Sequence, residues 1–433
     1  MERRKFIKKV AAATGALAAA PYILPSGRLF AATGARKVNH VVFCLFAGGV
    51  RSLESVHKNE GNLMPHILKG NEPISNDISG GMDPLPSPSG LRLSEQGTLF
   101  REFRYKQGPT GHINGHNAAI TGRYNDNSLD LQARPATPTL FEYYRKHSDP
   151  AKSALNAWWV SNQLGAYTDF NYSSYPGYGA LYGANLIAPT NLISGDSFDV
   201  LGNPKNFGAQ EAQIQDLRSF FNGNFKPGSS VAQDLGVINS EEDRFKLQQF
   251  IQQLFSDASN GLYNDPWGVG GVMNNDMYNL FFAEKIIEEY QPELLVVNMF
   301  DVDIGHQNYT QYCNNLRKSD YALAHLWETI QSTPGMANDT VLIAVPEHGR
   351  NEQANTLVDA YGRFALDHTS DQMSREIFCL IAGPPGVIKQ DISYNQEMGE
   401  SIDIVPTIAD ILGFHNDIPA GMLPGSILNQ AYV

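Results

Sequence analysis

Cysteine is scarce in this chain, which has 3 cysteines among 433 residues. None of their spacings resembles a zinc knuckle, so a zinc site built on thiolates is not expected. Cys44 and Cys379 each lie within an apolar run that predicts a buried strand, and we expect buried thiols there. Whether these two cysteines pair stays open, because disulfide connectivity cannot be deduced from sequence alone.

Positive charge is also in short supply. The chain has 32 Lys and Arg residues against 45 Asp and Glu residues, for a net charge of −13. No basic stripe stands out beyond the N-terminus, so we expect no nucleic-acid partner. The acidic surface has no general attraction for anionic esters either. Such a substrate would need a local cationic site, for example a metal ion.

Apolar runs long enough to cross a bilayer are absent beyond the N-terminus. The N-terminus pairs Arg3 and Arg4 ahead of Phe6, and a short alanine-rich stretch follows before Pro21. This order is typical of a twin-arginine export signal, which we assign to residues 1–33. A membrane anchor is the alternative, which the shortness of the stretch disfavours. We expect a periplasmic or extracellular mature chain without a stable membrane span, and the twin-arginine translocase as its partner during export.

Apolar runs that predict buried strands alternate with helical patterns from about residue 36 onward. The predicted strands are 41–46, 155–160, 294–300, 340–345 and 376–382. This alternation predicts an α/β fold with a mostly parallel central sheet and helices on both faces. We assign one domain to residues 36–433, with a loop-rich insertion at about 163–275 that would define the substrate. It contains no diagnostic motif, so the substrate stays unknown.

Four helices are predicted between these strands. Thr137 is the expected N-cap of the first, with Pro138 at its first helical position. An apolar stripe predicts a second, core-facing helix, and it consists of Phe245, Leu247, Phe250, Ile251, Leu254 and Phe255. The other two cover about 276–290 and 309–332.

Acidic residues and histidines follow or precede three of the predicted strands. They are Asp301, Asp303 and His306 after strand 294–300, Glu347 and His348 after strand 340–345, and Asp367 and His368 before strand 376–382. Because sites in such sheets form at the carboxyl edge, we expect these groups to meet there. A single acid–histidine pair is usually a surface pair, but three at one edge favour a metal site. Carboxylate and imidazole ligands suit a divalent metal, with zinc favoured over manganese or iron.

Several motifs resemble the alkaline phosphatase superfamily, which includes sulfatases. They are DVDIGH, PEHGRN, LDHTS followed by EIFCLIAGPPGV, SIDIVPTIADILGF, NGHNAAITGRY and TPTLFEYYRK, spread over most of residues 40–425. The resemblance implies a three-layer α/β sandwich and metal-dependent hydrolysis of phosphate or sulfate esters. It assigns Asp303, His306 and His368 to a first metal. It assigns Glu347 and His348 to a second, with Glu in place of the usual Asp. The short spacing in DVDIGH leaves open whether Asp301 or Asp303 points inward.

Two departures from the superfamily pattern bear on the mechanism. Ala47 stands where the first strand usually ends in a metal-binding Asp, and His112 stands where the nucleophile is expected. Both resemble an exported bacterial family of unassigned function within the superfamily. His112 is then a metal ligand, or a general acid or base toward metal-activated water. Thr110 is a displaced-nucleophile candidate, and His116 is expected to orient substrate.

The two departures leave two functional readings. One is an exported metal-dependent hydrolase of anionic phosphate or sulfate esters, in which Arg51 and Arg350 contact the anion or lie on the surface. The other is a catalytically degenerate metal-binding envelope protein on the same scaffold. The missing nucleophile favours the second hypothesis. The retained acids and imidazoles oppose it, because burying such polar groups costs free energy that a purely structural scaffold has no need to spend.

Overall fold

In the computed structural model of the chain, residues 32–125, 133–149, 152–162, 169–189, 237–369 and 371–433 are described. The predicted export signal lies outside these ranges except for its last two residues, Ala32 and Thr33. Residues 190–236 of the predicted insertion lie outside them as well.

The described strands form one eight-stranded sheet with the order β4-β3-β5-β1-β6-β7-β2-β8. Their bounds are β1 His40–Phe46, β2 Gly97–Arg104, β3 Ala157–Val160, β4 Asn185–Ile187, β5 Leu294–Met299, β6 Thr340–Pro346, β7 Glu376–Ala382 and β8 Ile392–Glu400. Only β7 among these strands runs against its neighbours, β6 and β2. The prediction of a mostly parallel sheet is therefore confirmed.

Helices cover both faces of the sheet, which confirms the predicted three-layer arrangement. Their bounds are α1 Asn76–Ser79, α2 His112–Thr121, α3 Leu140–His147, α4 Glu241–Ser259, α5 Asn275–Tyr290, α6 Tyr309–Ser332 and α7 Ile404–Ile411. Helices α4, α5 and α6 pack on one face, and α2, α3 and α7 pack on the other. No helix in the described ranges is both long and apolar enough to cross a membrane.

The central strands are apolar on both faces because both faces are covered. Successive side chains of β1 point to opposite faces, and every residue of 41–46 is buried. Cys44 belongs to the core beneath α4 to α6, whereas Cys379 belongs to the core on the opposite face. Both thiols are free and buried. Because the sheet lies between them, Cys44 and Cys379 do not form a disulfide.

Two predicted helix details were wrong. Helix α3 is capped by Thr139 rather than Thr137. The Thr139 side chain accepts a hydrogen bond from the Glu142 backbone, and the Glu142 carboxylate accepts one from the Thr139 backbone.

In α4 the predicted stripe is buried except for Phe245, which is 60% exposed. Phe245 lies two positions before Leu247, and about 100° of rotation per residue turns it to the opposite side of the helix.

The carboxyl ends of β1, β5 and β6 meet at one edge of the sheet. Phe46 pairs with Met299 on one side and with Pro346 on the other, so the three strands end level. Because β7 is antiparallel to β6, the chain that enters β7 arrives at this same edge. The loops after three strands and the loop before a fourth therefore converge.

Candidate metal centre

A two-glycine turn after β1 lets the site loops approach each other closely. Gly48 and Gly49 have φ angles of +95° and +81°. A Cβ atom on Gly48 would lie 2.7 Å from the Asp303 backbone nitrogen, and one on Gly49 would lie 2.6 Å from His348 Nδ1. The Gly48 N–H donates a 2.5 Å hydrogen bond to Glu347 Oε1. Only glycine combines this backbone conformation with this spacing.

Four side chains from three distant segments form what we call the outer group. They are His112, Asp303, His306 and His368, whose potential ligand atoms all lie within 4.8 Å of one another. Asp303 Oδ1 lies 3.1 Å from His112 Nε2 and 3.3 Å from His306 Nε2. His368 Nε2 lies 3.2 Å from His112 Nε2. The Asp303 and His306 side chains are 25% and 31% exposed, so the outer group is open to solvent on one side.

A second, fully buried cluster adjoins it, which we call the inner group. It consists of His112, Glu347 and His348. Glu347 Oε1 lies 2.7 Å from His112 Nδ1 and 3.2 Å from His348 Nε2. The two nitrogens of His112 thus face different groups, and this one imidazole joins them. The inner group offers three ligands among the described residues, and Ala47, which follows β1, adds no carboxylate.

The tautomers of the other imidazoles leave ligand nitrogens directed at the cluster. The Nδ1–H groups of His306, His348 and His368 donate to oxygen acceptors, at 2.7 Å to Asp367, 2.8 Å to the Gly349 carbonyl and 2.5 Å to the Thr110 carbonyl. In its neutral form each of these imidazoles then carries its lone pair on Nε2, as a metal ligand requires.

Within the inner group, two buried polar atoms lack a hydrogen-bond partner among the described residues, Glu347 Oε2 and His348 Nε2. His116 Nδ1 lies 2.6 Å from Glu347 Oε2, but its N–H is directed to the His112 carbonyl at 2.8 Å. An orphaned carboxylate oxygen next to an orphaned imidazole nitrogen fits a cation. The residues present therefore suit a divalent metal.

Burial and charge adjust the protonation of these ligands. Burial lowers the pKa of His368 to about 2, assisted by the positive charges of the neighbouring imidazoles and Arg350. Burial also lowers the pKa of His348, although Glu347 opposes the shift. Both imidazoles are therefore neutral near pH 7 and ready to bind a cation.

His112 behaves in the opposite way. Burial lowers its pKa, but the carboxylates of Glu347 and Asp303 outweigh burial and raise it to about 9. In turn, burial raises the pKa of Asp303, but hydrogen bonds from His112 and His306 outweigh it and leave the pKa well below its usual range. Without a metal, a protonated His112 lies between Asp303 of the outer group and Glu347 of the inner group and offsets part of their negative charge.

The structure decides which acids of the predicted site face the cluster. Asp303 points inward, whereas Asp301 lies outside both groups. The Asp301 carboxylate accepts hydrogen bonds from Asn275 Nδ2 at 3.1 Å and the Asp276 backbone at 3.0 Å, at the start of α5. Asp367 also lies outside both groups, and its Oδ1 accepts from His306 Nδ1. Asp367 thus orients a ligand instead of facing the cluster.

Thr110 and His116 lie behind the cluster. The Thr110 hydroxyl donates to the His368 carbonyl, which places it beside a ligand loop and not at an attacking position. His116 is fully buried, stacks on Phe170 and contacts Glu347, so a substrate has no access to it. These placements disagree with the nucleophile and substrate-orienting roles expected from sequence.

Arg51 and Arg350 are committed to the protein itself. Arg350 is fully buried and donates to Asp303 Oδ1 at 3.1 Å and to the carbonyl oxygens of Gly48, Gly49, Val302 and Leu366. Arg51 makes a two-pronged pair with Glu54 at 2.8 and 2.7 Å. Neither guanidinium is the anion contact or the solvated surface group that the sequence analysis considered.

Two asparagines that sequence reasoning missed support the site. Asn298 Oδ1 lies 2.9 Å from His116 Nε2, and Asn355 Nδ2 donates to the His306 carbonyl at 3.0 Å. Asn298 was detectable, because it is the polar residue in the otherwise apolar run of β5. Asn355 lies in a loop, where nothing in the sequence distinguishes it.

No family model and no curated protein matches this chain. Among solved structures, it is similar to wild-type alkaline phosphatase PafA, at 10% identity over 93% of this chain and 100% of that one, with a TM-score of 0.48. It is also similar to a protein in the alkaline phosphatase superfamily from Vibrio parahaemolyticus, at 13% identity over 91% and 71% of the two chains, with a TM-score of 0.42. A third is BT4656 in complex with its substrate D-glucosamine-2-N,6-O-disulfate, at 11% identity over 91% and 80%, with a TM-score of 0.42.

Proposed function

We propose that this chain is an exported, metal-dependent hydrolase of phosphate or sulfate esters that belongs to the alkaline phosphatase superfamily. The observation that carries the proposal is the outer group, in which three imidazoles and one carboxylate converge and remain open to solvent. Structural zinc sites are closed by protein ligands, whereas catalytic sites keep a position for substrate or water. Because the outer group is open to solvent on one side, a cation held there could take a substrate or water oxygen as an additional ligand, which favours catalysis.

His112, Asp303, His306 and His368 would hold the cation. Three nitrogen donors and one oxygen donor favour zinc, with manganese or iron as alternatives. When bound, the cation supplies a Lewis acid that polarises the ester and neutralises its anionic oxygens. The inner group would hold a second cation more weakly, because it offers one ligand fewer among the described residues.

His112 is the residue whose role differs most from the superfamily pattern. Both of its nitrogens face carboxylates, so it serves as a ligand once Nε2 gives up its proton. An imidazole here replaces the expected hydroxyl nucleophile, and the nearby Thr110 hydroxyl is engaged by the His368 carbonyl. We therefore propose direct attack by water, without a covalent intermediate on Ser or Thr.

Export through the twin-arginine translocase to the periplasm or the exterior remains part of the proposal. It is supported by the paired Arg3 and Arg4 and the alanine-rich stretch that follows them. The twin-arginine system carries folded proteins, so the cation could be loaded before export.

A catalytically degenerate metal-binding envelope protein is the second candidate. Ala47 favours it, because the inner group then lacks the carboxylate that completes a two-metal site in the superfamily. This candidate and the hydrolase both predict bound metal, but only the hydrolase predicts turnover.

The deciding experiment compares metal content and turnover in three versions of the full chain. Elemental analysis and hydrolysis of 4-nitrophenyl phosphate and 4-nitrophenyl sulfate are measured for wild type, His306→Ala and His57→Ala. His57 is the matched control, because its acid–imidazole pair with Glu102 at 3.5 Å lies outside both groups.

We expect bound zinc, manganese or iron and turnover in wild type and His57→Ala, and loss of turnover in His306→Ala. Bound metal without turnover of either ester would favour the degenerate protein. A folded wild-type chain that binds no metal would refute both candidates.

A further inference from the structure

The loop between β6 and β7 contains a short hairpin next to the outer group. Val358 and Phe364 form an antiparallel bridge, and the Asp359 N–H donates to the Arg363 carbonyl at 2.9 Å. Nearer the base, the Ala365 N–H donates to the Leu357 carbonyl at 2.8 Å. We call residues 355–366 the apolar hairpin.

Exposed apolar side chains are concentrated on this hairpin. Leu357, Val358, Tyr361 and Phe364 are 51%, 52%, 47% and 54% exposed. They make up four of the ten large apolar side chains that are exposed in the described ranges. Isolated exposed apolar residues are normal, but four of them within one short hairpin indicate a binding surface, which we call the patch.

Both charged side chains of the hairpin, Asp359 and Arg363, bond to the body of the protein. Asp359 accepts hydrogen bonds from the Thr310 N–H and hydroxyl at 2.8 and 2.7 Å. Arg363 pairs with Glu60 at 2.6 Å and with Asp77 at 2.8 Å. These contacts also anchor the hairpin to the body of the protein, so the patch is held in place.

The base of the hairpin is bonded to the outer group. Asn355 Nδ2 donates to the His306 carbonyl at 3.0 Å and to Asp367 Oδ1 at 3.1 Å. The Leu366 N–H donates to the Gly305 carbonyl at 2.7 Å. His368 follows Phe364 by four positions in the chain, so their Cα atoms lie at most about 14 Å apart. The hairpin therefore begins and ends beside the outer group.

We propose that the apolar hairpin is the subsite for the alcohol portion of the substrate, and that the substrate is therefore an ester of an apolar alcohol, aryl or alkyl. The anionic ester group would lie at the outer group, and the organic group would lie against Val358 and Phe364. This inference rests on the proposed function. An anionic membrane surface is a poorer occupant, because the chain carries a net charge of −13.

The test is a chain-length series of alkyl phosphates, from methyl to hexyl, with sulfates in parallel. Each methylene buried against the hairpin should raise kcat/KM of the wild type about fourfold through a lower KM. Phe364→Ser and Val358→Ser should flatten this dependence, so that kcat/KM falls much more for the hexyl ester than for the methyl ester. Leu262→Ser is the matched control, since Leu262 is 60% exposed and lies outside the hairpin.

Binding of hexylphosphonate and methylphosphonate to the metal-loaded chain, measured by calorimetry, provides a readout independent of turnover. We expect hexylphosphonate to bind more tightly in the wild type and in Leu262→Ser, but not in Phe364→Ser. An unchanged preference in Phe364→Ser would overturn the inference. So would a wild-type dimer, detected by sedimentation, that Phe364→Ser dissociates. If no ester is hydrolysed, the proposed function fails, and the phosphonate preference still decides the role of the hairpin.

Discussion

Arg350 connects three loops at the metal centre, two of which carry ligands of the outer group. Its guanidinium bonds to the turn after β1, to the segment after β5 and to the loop before β7. It also donates to the ligand Asp303 itself. Replacing Arg350 by Met keeps most of the side-chain length and removes every one of these donors. We expect this change to destabilise the protein and to weaken metal binding together.

The size of the effect follows from the buried contacts. Removing one partner of a buried, hydrogen-bonded charge pair typically costs about 3–5 kcal/mol. Four carbonyl oxygens also lose a donor, and each buried acceptor left unsatisfied costs about 1–3 kcal/mol unless the loop relaxes toward water. We therefore expect Arg350→Met to lower the free energy of unfolding by about 3–5 kcal/mol, with relaxation absorbing the remainder. Metal affinity should fall by roughly 10–100-fold, as when other residues that orient ligands are removed.

Guanidinium denaturation in EDTA measures the stability of the metal-free protein, and competition with a chelator measures zinc affinity. Arg350→Lys should recover part of both, because it keeps the charge but not the planar fork of donors. Arg51→Met is the control, since Arg51 is also buried and paired but contacts neither group. It should lower stability and leave zinc affinity unchanged. A loss of stability below about 1 kcal/mol with unaltered zinc affinity for Arg350→Met would refute the reasoning.

Three further predictions concern the histidines and Thr110. Zinc binding near pH 7.5 should release about one proton from His112, because its pKa is raised to about 9. The proton release should disappear in His112→Ala. Calorimetry in two buffers of different ionisation enthalpy measures the release, and zero release in wild type would contradict the prediction. Thr110→Val should lower the free energy of unfolding by about 0.5–1.5 kcal/mol and reduce turnover less than about tenfold. Abolished turnover with normal metal content would instead support the hypothesis that Thr110 is the nucleophile. His368 has a pKa of about 2 in the folded chain against an ordinary 6.5, so the unfolded chain binds the extra proton. The metal-free protein should therefore lose about 1.4 kcal/mol per pH unit below about pH 6.5 from this group alone. His368→Ala should make the slope shallower by that amount, as denaturation in EDTA measures, and an unchanged slope would contradict the prediction.

Elements with strong local signals were predictable. The bounds of α6 and β7 coincide with the predicted 309–332 and 376–382, because apolar period and length are local properties. The N-cap of α3 was also readable, since Thr139 and Glu142 have the spacing of a capping box. That signal was missed because Thr137 ahead of a proline is an equally common start.

The composition of the candidate site was largely readable from sequence. Acid–histidine pairs at predicted strand ends indicated the loops that converge, and the resemblance to the superfamily placed His112 with them. Their convergence needs only that parallel strands end at one edge. Asp303, His306 and His368 are brought together in the outer group as that argument expected.

Other features were decided by tertiary structure alone. Asp301 and Asp303 are equivalent in sequence, and the N-terminus of α5 selects between them by binding Asp301. His368 reaches the cluster only because β7 is antiparallel to β6, a pairing that two apolar strands do not encode locally. From sequence, Arg350 was expected at the surface or at an anion. In the folded chain it donates hydrogen bonds to four carbonyl oxygens of distant segments. Sequence patterns therefore determined five of the eight strands and four of the seven helices in the described ranges, and the kinds of ligand, because these depend on neighbours along the chain. The choice of ligand and the residues that hold it depend on contacts between segments hundreds of residues apart, which exist only in the folded protein.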